Sequence, residues 1–216
     1  MSADRMRRVP DRRGLVNRAS DQACRVVLVR HAAAEGQGRF LGQRDVPLST
    51  AGRKQLPVLV RKLRPYAVDA IYCSDLTRAR ATAMALARRR AVSVALRPRL
   101  REMGFGRWEG LSWDDVAEQF PRLARQWLAG RSRPRVPGGE SFAPFRARVT
   151  RELKRIVAAN HGRSVVVVAH AGAIRVAIGA ALGLDDRHLF RIAQSPCGLN
   201  VIDYFKSGVI VRCINA

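Results

Sequence analysis

Two runs dominated by valine constrain the fold of this chain more than any other feature. They are "RVVLVR" at 25–30 and "SVVVVAH" at 164–170. Runs that are β-branched at nearly every position are typical of strands buried on both faces in a parallel sheet. Shorter runs of the same kind predict two further strands at 68–74 and 92–96. A chain with such strands needs helices on both sides of its sheet.

Helical patterns separate these strands. Helices are predicted for 47–66, 76–90, 141–160 and 171–183. The first is expected to be capped by Ser49 or Thr50 and to stop before Pro65, while Pro57 should kink it or end its first turn. Because strands and helices alternate, the predicted fold class is α/β, with a mainly parallel central sheet flanked by helices on both faces.

Two segments depart from this alternation. Residues 98–140 contain scattered glycines and aromatic residues, and we predict a loop with one or two helices there, forming a helical cap over one end of the sheet. Residues 199–205 and 209–215 predict a closing hairpin. We expect residues 1–22 to be a disordered basic arm and residues 23–216 to form a single domain.

The charge of the chain is strongly positive. It has 40 Lys and Arg against 17 Asp and Glu, a formal net charge of +23. Such an excess fits either a polyanionic partner or an arginine-rich solvated surface. Because the cationic residues are spread along the chain, we expect nucleic-acid binding to be weak and non-specific at most.

The sequence contains no signal for a metalloprotein, a redox protein or a membrane-spanning protein. The four cysteines include no C-x-x-C pair, so neither a zinc site nor a redox motif is indicated. No apolar run approaches the ~20 residues of a membrane span. The first 22 residues lack the apolar core of a secretory signal. We therefore expect a cytoplasmic protein with no cofactor.

Polar residues gather where the predicted strands end. Arg30 and His31 close the first strand, and His170 closes the valine strand just before a helix that begins near Ala171. Arg78 falls in the first turn of the helix that follows the strand at 68–74. In open α/β sheets, sites form beyond the carboxyl ends of the strands, so these side chains are expected to meet.

Their chemistry points to phosphate. Guanidinium forks match phosphate oxygens, helix N-termini favour anions, and an imidazole can act as a nucleophile or proton carrier near neutral pH. Taken singly, each residue has a plainer explanation: a histidine at a strand end is usually structural, and an arginine such as Arg78 is usually solvated. Together they predict a site for phosphoryl chemistry with no metal ligands.

Five blocks of the sequence carry a resemblance to a known family. They are "LVRHAAAEGQGRFLGQRDVPLSTAGRKQ", "SDLTRARATA", "LREMGFGRWEG", "GGES" and "VVVVAHAGAIR". In this order they resemble the blocks of the histidine phosphatase superfamily, the phosphoglycerate mutase-like fold. The resemblance covers nearly everything from Val26 to the C-terminus.

The resemblance implies a role for each matching residue. His31 would be the nucleophile that forms a phosphohistidine, and Arg30 and Arg78 would grip the phosphoryl oxygens. His170 would contact the same group, and Glu102 would be the general acid for the leaving oxygen. Should Glu102 be a bystander, Glu35 and Glu109 are the next candidates. A backbone carbonyl is expected to fix the tautomer of His31.

The loop after His31 departs from the family pattern. The family usually has a glycine, an acidic residue and a hydroxyl residue there, whereas this chain has Ala32, Ala33 and Ala34 and a loop about two residues shorter. We expect these small residues to let the backbone approach a bound anion closely. Gln37 would replace an asparagine that often touches the phosphate, and Ala171 would offer the substrate the helix N-terminus.

Hydrolysis is the reaction that the resemblance favours. Mutases of the family tend to carry longer insertions, and "FGRWEG" resembles the phosphatase form of its block. "GRFLGQRDVPLS", "ESFAPFRARV" and "SPCGLNVIDYF" most resemble α-ribazole phosphatases of cobalamin synthesis. Broad-specificity sugar-phosphate or nucleotide phosphatases and phosphoglycerate mutases are alternatives, as is a non-catalytic polyanion-binding protein on this scaffold. The expected partner is a small phosphorylated substrate, and the oligomeric state stays open, a dimer being one option.

Overall fold

The computed structural model describes residues 22–129 and 134–216. The strands of its sheet are β1 (Cys24–Arg30), β2 (Ala70–Cys73), β3 (Val94–Leu96), β4 (Ser164–Ala169), β5 (Leu199–Tyr204) and β6 (Val209–Cys213). They form one six-stranded sheet in the order β3-β2-β4-β1-β5-β6. The pairs β1–β4, β2–β4 and β2–β3 are parallel, and β5 and β6 add antiparallel pairs at one side. The mainly parallel sheet and the closing hairpin are confirmed.

The helices alternate with the strands along most of the chain. They are α1 (Thr50–Lys62), α2 (Thr77–Ala87), α3 (Trp113–Gln119), α4 (Pro121–Ala129), α5 (Phe142–Ala158) and α6 (Ala171–Leu182). Short 3₁₀ turns occur at Pro98–Leu100, Gly106–Trp108 and Asp186–Arg191. No helix among the described residues is long and apolar enough to span a membrane.

Alternate side chains of the central strands belong to two different cores. Val26 and Leu28 of β1 pack in a cluster with residues of α5 and α6, whereas Val27 and Val29 pack with residues of α1 and α2. The four valines of β4 divide in the same way. Since successive side chains of a strand point to opposite faces, a continuous run of valine buries both faces at once. The predicted α/β fold with helices on both faces is confirmed.

Helix α1 corrects one expectation. Ser49 is the N-cap, and its Oγ accepts the Gly52 N–H at 3.1 Å. The helix runs on through Pro57, so the alternative that Pro57 ends its first turn is wrong. Pro57 is exposed, which leaves the carbonyl that loses its helical partner next to solvent. The helix ends before Pro65, as expected.

Several predicted boundaries were too wide. The helix expected at 76–90 ends at Ala87, and the strand expected at 92–96 begins at Val94. Ala91 lies between them with φ of 53°, in the left-handed region that neither a helix nor a strand contains. The predicted arm at 1–22 falls almost wholly on residues 1–21, which lie outside the described part of the chain.

Strand pairing determines where the polar residues meet. In the parallel β1–β4 pair, Arg30 is level with Ala169, and the His31 N–H donates to the Ala169 carbonyl at 3.0 Å. His31 and His170 therefore follow neighbouring strands at the same edge of the sheet. Helix α6 starts at this edge as well, with His170 as its N-cap.

Candidate active site

The two histidines are in contact. Their ring centroids lie 5.0 Å apart at an interplanar angle of 61°. His31 is 5% exposed and His170 is 1% exposed. Two buried imidazoles that touch edge to face cannot both carry a proton charge at low cost, so their protonation states are set by their neighbours.

A backbone carbonyl fixes the tautomer of His31. Its Nδ1 lies 2.7 Å from the Ala32 carbonyl oxygen, which can only accept a hydrogen bond. The ring proton is therefore on Nδ1, and the lone pair is on Nε2. Burial, together with the nearby Arg78 and Arg30 guanidiniums, lowers the pKa of His31 to about 3. The ring is neutral near pH 7 and presents an unprotonated nitrogen, and the expected backbone partner is found.

His170 has the opposite arrangement. Its Nε2 lies 2.9 Å from Ser74 Oγ, while its Nδ1 is buried without a hydrogen-bond partner in the described protein. Ser74 Oγ also accepts the Leu76 N–H at 3.3 Å, so its own hydrogen can point to His170 Nε2. The ring proton then belongs on Nδ1 as a free donor. Burial, and after it His31, holds the pKa of His170 well below its usual value.

Arg30 and Arg78 bring two guanidiniums to the site. Arg78 is 1% exposed, and its Nη1 and Nη2 donate to the carbonyls of Arg44 and Gly42, both at 2.7 Å. Arg30 donates through Nη1 to the Gln194 carbonyl at 2.5 Å. The Nε atom of each is buried without a partner in the described residues. Burial lowers the pKa of both guanidiniums from the usual value.

A glycine and a glutamate hold the loop that binds Arg78. Gly42 has φ of 52°, and a Cβ at this position would lie 2.0 Å from Glu109 Oε1. That oxygen accepts the N–H groups of Gln43 at 2.9 Å and Phe105 at 3.0 Å. Glu109 thus fastens the loop to the following segment and aims the carbonyls that position Arg78.

Glu102 reaches the site from another direction. Its Oε1 accepts the Met103 N–H and its Oε2 accepts the Gly172 N–H in the first turn of α6, both at 2.9 Å. A Cβ on residue 172 would lie 2.3 Å from Oε1, so the glycine makes room for the carboxylate. Glu35 is exposed, and Glu109 is occupied in the loop. Of these three carboxylates, only Glu102 lines the cavity described next.

All five predicted catalytic side chains line one cavity of about 440 Å³. Its lining among the described residues is Arg30, His31, Arg39, Phe40, Leu41, Gly42, Arg78, Glu102, Phe105, Trp113, Trp127, Leu128, His170, Ala171, Arg175 and Phe190. Ala171 is at the cavity, as expected. Gln37 is exposed in a turn and is not part of this lining, so the structure gives no support to its predicted phosphate contact.

The three alanines after His31 are buried outside the cavity lining. They are 0%, 2% and 3% exposed, and none lines the cavity. The Ala32 N–H donates to Thr82 Oγ1, and the Ala33 N–H donates to Gln55 Oε1. Their small size serves packing against α1 and α2, where a Cβ on Gly52 would lie 1.9 Å from the Ala33 carbonyl. These contacts give no support to the expectation that the alanines let the backbone approach an anion.

Ser74, Gln194 and Arg175 are polar residues of the site that sequence reasoning did not assign to it. Ser74 and Gln194 hold His170 and Arg30, as described above. Arg175 lines the cavity, with its Nε donating to the Ile192 carbonyl at 2.8 Å. Ser74 and Arg175 gave a signal, as the first residue of the block "SDLTRARATA" and the last residue of "VVVVAHAGAIR", whereas Gln194 lies in none of the five blocks.

The described residues contain no group of three or more His, Cys, Asp or Glu side chains that could hold a metal ion. What the cavity gathers is cationic and imidazole groups, a single carboxylate and a helix N-terminus. This set suits a small, multiply charged anion.

Comparison with known proteins identifies the class. The family model of the histidine phosphatase superfamily (branch 1) matches residues 26–216. The chain is 34% identical over 163 residues to phosphoserine phosphatase 1 of Hydrogenobacter thermophilus, with 74% of this chain and 77% of that protein covered. The crystal structure of the α-ribazole phosphatase from Shigella flexneri matches with a TM-score of 0.80 at 26% identity, covering 89% of this chain and 96% of that one.

A bifunctional protein of Mycobacterium tuberculosis is 34% identical over 195 residues, which is 88% of this chain. The chain spans only 53% of that relative's length. From the extent of the family match, the chain belongs to branch 1 of the histidine phosphatase superfamily.

Proposed function

We propose that the chain is a phosphomonoester hydrolase that works through a phosphohistidine at His31. One observation carries this proposal. Arg30 Nε, Arg78 Nε and His170 Nδ1 are all buried without a hydrogen-bond partner in the described protein, and their three residues line one cavity. Because buried N–H donors in native proteins are almost always satisfied, three such donors at one cavity indicate a multiply charged acceptor. A phosphoryl group has the oxygens and the charge for all three.

The first step forms a nitrogen–phosphorus bond. His31 Nε2 attacks phosphorus with its lone pair, and the bond from phosphorus to the alcohol oxygen breaks. Glu102, in its protonated form, gives its proton to that oxygen so that an alcohol leaves instead of an alkoxide. The Nδ1–H of His31 continues to donate its hydrogen bond to the Ala32 carbonyl oxygen, and this bond stabilises the positive charge that develops on the ring.

The second step hydrolyses the phosphohistidine and regenerates the free imidazole of His31. A water molecule attacks phosphorus from the side that the alcohol has left, and Glu102, now a carboxylate, accepts a proton from it. The nitrogen–phosphorus bond breaks, the electron pair returns to Nε2, and inorganic phosphate forms. Each oxygen of Glu102 accepts only one backbone N–H, so each keeps a lone pair for this proton.

Fixed charges stabilise the group in transfer. The guanidiniums of Arg30 and Arg78 are held by backbone carbonyls, so they need not reorganise when charge shifts to the phosphoryl oxygens. The same charges disfavour protonation of His31, which keeps its attacking nitrogen free. Neither step requires a metal ion.

For the physiological ester, α-ribazole 5'-phosphate is our first candidate. The sequence blocks noted above support it, as does the likeness to the Shigella flexneri α-ribazole phosphatase. A sugar-phosphate or nucleotide phosphatase of broader specificity is the second candidate, because the chain is also similar to phosphatases of other esters, a phosphoserine phosphatase and a mycobacterial glucosyl-3-phosphoglycerate phosphatase. Relatives of both kinds match, but phosphoserine phosphatase 1 is 34% identical and the probable phosphoglycerate mutases are 28% to 30% identical, which favours hydrolysis. A site with three unpartnered donors argues against a scaffold that has lost catalysis.

A metal-free assay tests the proposal. The purified chain should release inorganic phosphate from phosphomonoesters in the presence of a chelator, and vanadate should inhibit competitively because it adopts five-coordinate geometry. Arg78→Lys should lose activity because a lysine cannot make both carbonyl contacts and a phosphoryl contact. Arg80→Lys, on the exposed side of the same helix, is the matched control and should keep full activity. Loss of activity with the chelator and recovery with a divalent ion would contradict the mechanism.

A further inference from the structure

A set of aromatic rings lines the same cavity as the catalytic residues. It consists of Trp113, Phe40, Phe105, Trp127 and Phe190, and we call it the ring wall. Its members touch in this order, with centroid separations of 6.1, 5.1, 6.0 and 5.9 Å. The rings come from separate parts of the chain, so tertiary packing alone brings them together. Five rings in series on one cavity are more than the transfer of a phosphoryl group requires.

The position of the phosphoryl group determines where the alcohol of the ester must lie. Arg30, His31, Arg78 and His170 occupy the phosphoryl end of the cavity, so an alcohol bonded to that phosphorus must extend into the rest of its 440 Å³. There it meets rings and Leu128. The described lining includes no Asn, Gln, Ser, Thr or Asp side chain that could recognise sugar hydroxyls. Apart from the guanidiniums of Arg39 and Arg175, this part of the cavity can select by shape and apolar contact.

The charged groups of the lining disfavour small amino-acid esters. Arg39 and Arg175 add two more guanidiniums to the lining, although Arg39 is paired with Asp115 at 3.3 Å outside it, and Glu102 is the one carboxylate of the described lining. Both oxygens of Glu102 already accept backbone N–H groups. An ammonium group on the alcohol, as in phosphoserine, would lie among four guanidiniums with the single carboxylate of Glu102 to balance it.

We infer that the protein selects phosphomonoesters whose alcohol carries a flat aromatic ring, which lies against the ring wall while the phosphoryl group lies at His31. This inference rests on the proposed function and adds the substrate class. Stacking of one ring on aromatic side chains changes affinity by about 5- to 150-fold. Arg175 strengthens the far end of the wall, because its guanidinium lies 5.2 Å from the Phe190 centroid and leaves its Nη groups for polar edges of a ligand.

A matched pair of substrates tests the inference on the full-length protein. Adenosine 5'-monophosphate and ribose 5-phosphate release the same primary 5' oxygen, so their chemical steps are alike and they differ by the ring. We expect kcat/KM to be about 5- to 150-fold higher for the nucleotide. Phosphoserine should be the poorest of the three.

Substitutions in the ring wall test whether the rings cause the preference for the nucleotide. Trp113→Leu and Phe40→Leu should bring the ratio of the two kcat/KM values towards one. Tyr66→Leu removes a ring outside the cavity lining and should leave the ratio unchanged. If a wall variant fails to fold, inhibition of the unaltered protein by adenosine and by ribose gives the same comparison, with adenosine expected to bind more tightly.

The outcomes separate the inference from the proposed function. If neither ester releases phosphate, the proposed function is wrong. If both are hydrolysed with equal kcat/KM, or if ribose inhibits as well as adenosine, hydrolysis stands and the ring-wall inference is wrong. A nucleotide preference that survives both wall substitutions would also overturn the inference.

Discussion

At the scale of single residues, the site is defined by which buried polar groups have partners. His31 Nδ1 is bonded to a carbonyl and its Nε2 is left to react, whereas His170 is bonded at Nε2 and its Nδ1 is left to donate. The two imidazoles have the same chemistry in isolation. In the proposed mechanism, their different neighbours give them different roles, His31 as nucleophile and His170 as donor to the phosphoryl group.

Glu102→Gln separates a general acid from a structural carboxylate. A general acid matters most when the leaving oxygen is strongly basic, so the variant should slow alkyl phosphates by ~10²–10⁴-fold. With p-nitrophenyl phosphate the first step should be nearly unchanged, and a burst followed by slow turnover should appear in stopped-flow traces. Equal, small losses on both substrates would show that Glu102 is structural.

The neutral state of His31 predicts a pH dependence of stability. Its pKa is lowered from 6.5 to about 3, so between these values the unfolded chain binds a proton that the folded protein does not. The free energy of unfolding therefore falls with decreasing pH, by ~1.4 kcal/mol per pH unit from this group. His31→Gln should make the slope between pH 6 and pH 4 shallower by about that amount in urea titrations. An unchanged slope would mean that His31 is charged in the fold.

At the scale of elements, the start of α6 joins three parts of the site. His170 is its N-cap, Ala171 lines the cavity, and the Gly172 N–H binds Glu102 at 2.9 Å. Carboxylates near a helix N-terminus are favoured by the unpaired N–H groups and the helix dipole. The helix thus determines the position of the carboxylate as well as that of the histidine.

Gly172→Ala tests this coupling. The added methyl group would lie 2.3 Å from Glu102 Oε1, so the carboxylate must move. We expect the kinetic signature of Glu102→Gln, with alkyl phosphates slowed more than p-nitrophenyl phosphate, although Glu102 is still present. Gly208→Ala is the matched control, because a Cβ there meets no atom within 4 Å. Equal kinetics for the two alanine variants would contradict the proposed positioning.

The elements also show what the sequence could predict. β1 and β4 were predictable because burial on both faces imposes β-branched residues at nearly every position, and the strand ends then placed Arg30, His31 and His170 together. The loops were not predictable in this way. Gln37 and the three alanines take their positions from contacts with distant segments, such as those from Ala33 to α1, and local sequence does not encode these contacts.

At the scale of the whole molecule, the positive charge is unevenly distributed. A groove of about 840 Å³ between α1 and α2 is lined by Arg53, Arg61, Arg64, Arg88, Arg89 and Arg90, together with apolar residues. No acidic residue occurs at 46–68 or at 76–101. The surface of α1 and α2 is therefore the part of the described protein most suited to a polyanion, and it is formed by residues other than those of the cavity.

The salt dependence of DNA binding tests whether this surface of α1 and α2 binds a polyanion. We expect weak binding to duplex DNA, with log K falling as log salt rises at a slope near −0.9 per phosphate neutralised. Arg88→Gln combined with Arg89→Gln should make the slope shallower by about 2 and leave ester hydrolysis unchanged. Arg151→Gln combined with Lys154→Gln on α5 removes equal charge elsewhere and should change the slope less. Tight binding at physiological salt without any esterase activity would favour the polyanion-binding alternative over the phosphatase.

The central claim is that His31 accepts the phosphoryl group, and acid–base trapping of the phosphoenzyme tests it most directly. Protein quenched during turnover of a ³²P-labelled ester should carry covalent phosphate that is labile in acid and stable in alkali, as a phosphoramidate is. Peptide mapping should place the label on His31. His31→Ala should trap none, whereas His170→Ala, which lacks only a stabilising donor, should still be labelled slowly. Covalent phosphate on the His31→Ala protein, or label that survives acid, would contradict the account.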